Sequence, residues 1–291
     1  MFEIARPVPG LPDPNQVREF QRLGRLTIQE AGQLIRDRLR GDRRLEIATK
    51  AAHDFVTDVD RACEKLIVRA IERRFPDHAM VAEESHQNAI QDGFTWIVDP
   101  LDGTTNFIHG FPFFAVSMAL ALNGRIILGW VLDPLRGELF EAAAGAGASL
   151  NGRPLRVRSS GSLDDILLAT GFPFREKALL APYLAAFAAV FQRVGGIRRA
   201  GAAALDLAYV AAGRVDGFWE LGLKPWDVAA GMLLIEEAGG LVTDFRGGDQ
   251  ALTCGHIVAG TPWAQPWLRE TVARHMLPHL DPVPGRAVRS Q

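Results

Sequence analysis

The amino-acid sequence predicts an α/β protein with mixed sheets between helix layers. Three observations carry this. Apolar residues recur at three and four over residues 59–71, the period of a half-buried helix. An Asn123-Gly124 pair joins two apolar runs, the signature of a tight β-hairpin. The last third of the chain alternates short apolar runs with longer helical patterns.

The elements follow in order. Residues 1 to about 15 are rich in proline and read as loose, so a flexible extension is assigned to 1–20 and a flexible tail to 281–291. Between them no repeat or low-complexity linker divides the chain, and 21–280 reads as one domain with two closely packed halves, about 21–160 and 161–280. The first strong helix runs from about Thr27 to Arg40. In the second, Val59, Ala62, Cys63, Leu66, Ile67, Ala70 and Ile71 form the stripe. Thr57 is its N-cap, Asp60 completes a capping box, and Pro76 stops it. A short strand ends at Glu83, and a buried strand from Trp96 to Val98 delivers Asp99. Ala115 to Leu122 and Arg125 to Leu132 form the hairpin, Glu138 to Ala143 adds a third strand, and Asn151-Gly152 marks a further turn. Strands are then expected at Ile166 to Thr170, Val215 to Trp219, Leu241 to Phe245 and Ile257 to Ala259. Helices are expected at Leu179 to Val194, Ala202 to Ala212, Trp226 to Ala238 and Trp263 to Leu280.

Composition excludes several classes. Of 291 residues, 48% are hydrophobic and 23% charged, an ordinary soluble balance with ample core. The net charge of -2 gives no global field for nucleic acid. An anionic substrate would need local help, from a metal or a helix N-terminus. Cys63 and Cys254 make no disulfide framework or zinc spacing, and Cys63 falls on an apolar helix face. No secretory leader is visible, and no apolar run approaches the ~20 residues of a membrane helix. A reduced cytoplasm is the expectation.

Four acidic clusters stand where apolar segments end: Asp54-Phe55-Val56-Thr57-Asp58-Val59-Asp60, Glu83-Glu84-Ser85, Asp99-Pro100-Leu101-Asp102-Gly103-Thr104-Thr105-Asn106, and Trp226-Asp227-Val228-Ala229-Ala230-Gly231. In the third, Pro100 is expected to turn the chain out of its sheet. That turn can put Asp99, the Leu101 carbonyl and Asp102 on one side. Oxygen donors without sulfur or imidazole suit Mg²⁺. A short helix starting at Thr104 would leave free N–H groups beside them for a phosphate. Each cluster alone has a bland explanation, a solvated turn or a favourable charge at a helix start. Their joint occurrence points to a two-metal carboxylate site. His53, His78, His86 and His109 lie near the motifs and read as surface or packing residues.

At these residues the chain resembles the inositol monophosphatase family. The run from Asp99 to Phe107 is similar to its principal signature and Trp226 to Gly231 to its second. Glu83-Glu84-Ser85 and Asp54 to Thr57 match in the expected order. The similarity covers about residues 27–275, and Gly201 to Asp227 looks particularly like its bacterial SuhB-type members. The resemblance implies a layered α-β-α-β-α sandwich of the sugar-phosphatase type, with mixed and antiparallel sheets. It implies metal ligation by Glu83, Asp99, the Leu101 carbonyl, Asp102 and Asp227. Thr104, paired with Asp60, would activate the attacking water near Glu83. Gly103 and Thr105 would hold phosphate. Glu220 and the Ala203 backbone would meet substrate hydroxyls, with Asp102 and Asp227 nearby. Two positions depart from the pattern: Ala82, where Gly is frequent, and Ala202, where Ser or Thr is frequent.

The activity so implied is Mg²⁺-dependent hydrolysis of inositol 1-phosphate by in-line attack of a metal-activated water, without a phospho-enzyme. Sister families with the same motifs act on fructose 1,6-bisphosphate, histidinol phosphate, NADP or 3′-phosphoadenosine nucleotides. The motifs fix the metal and phosphate chemistry rather than the leaving group. SuhB-type resemblance also allows an additional role in transcription antitermination and ribosome assembly, through Nus factor and RNA polymerase contacts. A homodimer is implied by resemblance alone.

Overall fold

The computed structural model describes residues 10, 12–41, 46–51, 54–86, 89–159, 161–174 and 176–280, less the side chains of 49–51 and 54. His53, the acid of Asp54, most of the first eleven residues and the 281–291 tail therefore lie outside the described residues.

Two helices open the chain, α1 (Pro14–Arg40) and α2 (Asp58–Arg74), with a small hairpin of β1 (Ile47–Ala51) and β2 (Asp54–Thr57) between them. A seven-stranded sheet follows, in strict sequential order: β3 (Ala79–Ala82), β4 (Phe94–Asp102), β5 (Ala115–Leu122), β6 (Arg125–Asp133), β7 (Glu138–Ala143), β8 (Gly147–Leu150) and β9 (Arg153–Pro154). Only β3 and β4 are parallel; the others form the antiparallel meander expected from the Asn-Gly turns. The short α3 (Thr104–His109) leaves β4. The second half contains β10 (Leu167–Thr170), α4 (Leu180–Phe191), β11 (Gly196–Arg198), α5 (Ala203–Ala211), β12 (Gly217–Glu220), α6 (Pro225–Glu237), β13 (Leu241–Thr243), α7 (Ala251–Cys254), β14 (Ile257–Gly260) and α8 (Ala264–Met276). Its five strands form a mixed sheet in the order β11-β10-β12-β14-β13.

The layers follow from which faces are apolar. One face of the large sheet, with Trp96, Val98, Met118, Leu120 and Trp130, packs on α1 and α2. The opposite face, with Ile97, Ala119, Ala121 and Val131, packs on α5 and α6. Those two helices also cover one face of the smaller sheet, and α4 and α8 cover its other face. The order is α-β-α-β-α, the sandwich implied by resemblance.

A helix layer between two sheets must be thin, and its sequence is small: Ala202-Ala203-Ala204 opens α5 and Ala229-Ala230-Gly231 runs through α6. A Cβ on Gly129 of β6 would stand 3.1 Å from the Ala230 backbone, so sheet and helix meet main chain to main chain. This close approach sets the depth of α6, and with it Asp227.

Two expectations change. The first helix begins at Pro14, not near Thr27, so residues 14–20 belong to the packed fold rather than to a loose extension. Proline at N1 supplies a helical φ and gives up no hydrogen bond there. Asp13 caps the end by accepting from the Asn15 and Gln16 amides, and Val17 and Phe20 are buried. Second, Pro100 does not end its strand. Asp99 pairs with Ser117 and Asp102 with Ala115, so the chain passes through a one-residue bulge and stays in the sheet. A bulge re-aims side chains without losing the strand.

Candidate active site

β3 and β4 run parallel and end side by side, which brings Glu83 next to the Asp99–Asp102 bulge; the Glu83 amide donates to the Val98 carbonyl at 3.3 Å. Within the bulge the Asp99 carboxylate accepts the Leu101 amide at 2.9 Å. Asp227 stands in the first turn of α6 and accepts the Lys224 amide at 2.7 Å, closing that helix start. Asp102 reaches across to α5 and accepts the Ala204 amide at 2.7 Å, with the Ala203 amide also bonded to it. The N-cap of α5 is Ala202, which has no side-chain acceptor, so the carboxylate from the other half of the chain caps the helix instead.

Glu83, Asp99, Leu101, Asp102, Gly103, Thr104, Thr105, Ala203, Glu220 and Asp227 all line one cavity of about 350 Å³. Asp60 stands behind Thr104. Its carboxylate accepts the Thr104 hydroxyl at 2.8 Å on one oxygen and the Thr57 amide at 2.9 Å on the other. The capping box at Thr57 is thus also what fixes Asp60. The Leu101 carbonyl, 3.0 Å from the Thr104 hydroxyl, is its other acceptor.

The electrostatics are those of crowded acids. Burial pushes Asp99 well above the carboxylate range, helped by the like charges of Glu83, Asp102 and Asp227. Burial and Asp227 do the same to Asp102, opposed by its α5 amide bonds. Burial raises Asp60, against the Thr57 and Thr104 hydrogen bonds. Among the described residues no three side chains already stand at the spacing of a closed metal cage. The donor set nonetheless fits Mg²⁺. It is all oxygen, it is deficient in positive charge, and it faces an open cavity, where an ion that keeps several of its waters can sit on few carboxylates. Buried acids raised chiefly by burial and one another want a cation.

Gly103 takes a left-handed φ of +89° as N-cap of α3, and a Cβ there would stand 3.0 Å from the Phe113 carbonyl. The first amides of α3 precede its first internal hydrogen bond, Phe107 N–H to the Gly103 carbonyl at 3.0 Å. Asn106, read from sequence for its amide, has a further use. Its side chain donates to the Phe113 carbonyl at 2.7 Å and to the Ala200 carbonyl at 2.9 Å, tying the α3 turn to the second half of the chain.

Sequence reasoning missed Glu64 and Arg199. Glu64 is buried on α2 and accepts the Glu84 amide at 2.7 Å and the Ser85 hydroxyl at 2.5 Å, holding the turn after Glu83. An acid on the inner side of an otherwise apolar stripe was its only sequence signal. Of the described histidines near the motifs, His78 stacks on Phe75 and Phe94 and accepts from Trp96, His86 bonds Ser85, and His109 is exposed at the end of α3. Cys63 is fully buried in the α1–α2 core, which drives its thiol up to about 12. No helix among the described residues is long and apolar enough to cross a membrane.

Comparison with known proteins finds relatives over most of the chain. The family model described as "Inositol monophosphatase family" matches residues 16–277. The Nus factor SuhB of Pseudomonas aeruginosa is 50% identical over 260 residues, 87% of this chain and 95% of that one. The crystal structure of the extragenic suppressor protein suhB of Bartonella henselae superposes with a TM-score of 0.83 at 41% identity, covering 87% of this chain and 98% of that one. The inositol monophosphatase of Anabaena (Nostoc) sp. PCC 7120 gives 0.78 at 37% identity, covering 89% and 97%.

Proposed function

Since the chain belongs to the inositol monophosphatase family, we propose that it is a Mg²⁺-dependent phosphomonoesterase, with inositol 1-phosphate as its leading substrate. One observation carries this: four carboxylates from β3, β4 and α6 border a single cavity beside a Thr104–Asp60 pair.

Glu83, Asp99, Asp102, Asp227 and the Leu101 carbonyl would hold the metal. When bound, Mg²⁺ supplies positive charge to the phosphoryl oxygens, to the attacking water and to the leaving oxygen. The chain supplies the rest. Thr104 has one proton and two acceptors within reach, Asp60 and the Leu101 carbonyl. Donation to Asp60 leaves its oxygen free to accept from a water aimed at phosphorus. Asp60, raised by burial, is a better proton acceptor than an ordinary aspartate. The Gly103 and Thr105 amides would bind the phosphate, and Glu220 with the Ala203 backbone would meet hydroxyls of the leaving group. Alignment of water and phosphorus inside this rigid frame is a large share of the acceleration.

The test is phosphate release from a panel of inositol 1-phosphate, fructose 1,6-bisphosphate, histidinol phosphate, NADP and adenosine 3′,5′-bisphosphate, with and without Mg²⁺. Release led by inositol 1-phosphate is expected. Another leader would change the substrate, and none at all would remove the activity.

A second, additional role is favoured by the name of the relatives, Nus factor SuhB. A contact with Nus factors or RNA polymerase would then use the outer surface rather than the cavity. Retention of such partners by an Asp102→Asn protein would separate the two roles. For a homodimer, the exposed apolar residues Leu180, Leu184 and Phe191 of α4 offer a surface, and sedimentation velocity would read the stoichiometry.

A further inference from the structure

β10 and β12 are parallel neighbours in the five-stranded sheet, with Thr170 opposite Trp219 in the register. The next residues along are Gly171, just beyond β10, and Glu220, the last of β12. Both line the cavity.

The Glu220 side chain lies over its neighbour. A Cβ built on Gly171 would stand 2.0 Å from the Glu220 Cδ and Oε1 and 2.2 Å from its Oε2. The carboxylate therefore fills the space that any other residue at 171 would give to its own side chain. The backbone does not call for glycine there, because Gly171 is not in the left-handed region. What calls for it is the acid. The strand ends on either side are held. The buried Thr170 hydroxyl donates to the Trp219 carbonyl at 2.7 Å and stands 2.8 Å from the Tyr183 hydroxyl of α4. A methyl at 171 is thus accommodated more cheaply by the far end of a flexible glutamate than by a shift of β10. Carbon atoms in contact prefer about 3.5–4.0 Å, so the carboxylate would retreat by roughly 1.5–2 Å. A misplacement of about 1 Å can cost about 100-fold in rate.

We propose that Gly171 is a specificity-determining position: by lacking a side chain it seats the Glu220 carboxylate against the end of β10, where it favours leaving groups rich in hydroxyls. A hydroxyl donates to the carboxylate, and a charged acceptor makes that bond a strong one. A leaving group without hydroxyls covers the acid and returns no hydrogen bond. Gly171 acts through Glu220 as a positioning residue, apart from the metal-binding acids of β3, β4 and α6. This rests on the phosphatase function and the Glu220 contact proposed above.

The test compares kcat/KM on inositol 1-phosphate and on phenyl phosphate, whose leaving group carries no further hydroxyl, for wild type, Gly171→Ala, Glu220→Ala and the double variant. In Gly171→Ala the inositol-to-phenyl ratio should fall about 10- to 100-fold, the worth of a hydrogen bond to a charged group. The fall should lie mainly in the KM for inositol 1-phosphate. In the Glu220→Ala background the atoms that the methyl would meet are gone, so adding Gly171→Ala should move the ratio less than about twofold. A ratio that falls less than about twofold in Gly171→Ala, or that falls as far once Glu220 is removed, overturns the proposal. Should Gly171→Ala fail to fold, the double variant decides. Its folding places the clash at Glu220 and supports the proposal, and failure of both makes Gly171 a backbone requirement and overturns it. Wild type releasing no phosphate from either ester would count against the phosphatase function instead. Calorimetric titration with inositol 1-phosphate in Mg²⁺ then decides the part played by Gly171: tighter binding to wild type than to Gly171→Ala supports it, and equal or absent binding overturns it.

Discussion

Asp102→Asn should nearly abolish phosphate release while making the metal-free protein more stable. Asp102 has two functions that a carboxamide separates. As an N-cap it accepts the Ala204 amide at 2.7 Å, and an asparagine carbonyl oxygen can still accept there. As a charge it stands near Asp227, the neighbour that most raises it. A like-charge contact between neighbouring carboxylates in a medium of effective dielectric constant about 20 costs on the order of 3 kcal/mol. Weakening the charged amide bond returns about 1 to 2 kcal/mol. The metal-free variant should therefore gain on the order of 1 to 2 kcal/mol, a few degrees of melting midpoint at this size.

The pH dependence has a definite sign. A carboxylate raised above its ordinary 3.8 binds protons in the native state that the unfolded chain has lost. Metal-free wild type should thus lose stability as pH climbs from about 4 through the raised range, and Asp102→Asn should flatten that slope. Added Mg²⁺ should stabilise wild type by about 2.7 kcal/mol at a hundredfold excess over its dissociation constant, and the variant by much less. Turnover should fall about a thousandfold or more. Thermal melts with EDTA or Mg²⁺ between pH 5 and 8, with phosphate release, read every term. A variant that turns over normally, or whose metal-free form melts lower than wild type, refutes the reasoning.

Further outcomes follow from other contacts. Thr104→Ala should lower kcat about 10²- to 10⁴-fold with little change in melting, and Thr104→Ser should retain most of it, because only the hydroxyl bonded to Asp60 is asked to move a proton. Ala202→Ser gives α5 its own cap, so Asp102 need no longer supply it, and the Mg²⁺ concentration for half-maximal rate should fall. Gly129→Ala sets a methyl 3.1 Å from the Ala230 backbone, and should lower the melting midpoint and raise the Mg²⁺ requirement together, as α6 and Asp227 shift. Asp13→Ala should cost about 1 kcal/mol and increase amide exchange over residues 14–20, with turnover unaffected.

Much of the site was legible because its chemistry is local in sequence. Asp99 to Asn106 form one contiguous strand-end bulge and helix start, and Thr57 to Asp60 one cap, so side-chain types and spacing bring these groups together locally. The hairpin at Asn123-Gly124 was equally local. What was missed depends on distant contacts. Pro100 reads as a strand end, but pairing with Ala115 carries the strand through a bulge. Pro14 reads as disorder, but Val17 and Phe20 bury against the α2 layer and keep the helix going. The hairpin of β1 and β2 carries no turn signal in its sequence. That Asp102 caps a helix through an amide 102 residues away, or that Asn106 bonds the Ala200 carbonyl, could not be read without the fold. The layer order itself came from resemblance rather than from periodicity, because an alanine-rich central layer has almost no amphipathic stripe.

The measurement that bears most directly on the account is the initial rate of phosphate release from inositol 1-phosphate as Mg²⁺ is titrated into EDTA-treated wild type, with Glu83→Gln alongside. The carboxylate cavity predicts no release without metal, saturable activation by Mg²⁺ in wild type, and an activation curve in Glu83→Gln that is displaced to higher Mg²⁺ and reaches a far lower plateau. Release that is independent of Mg²⁺, or the same curve for both proteins, would contradict it.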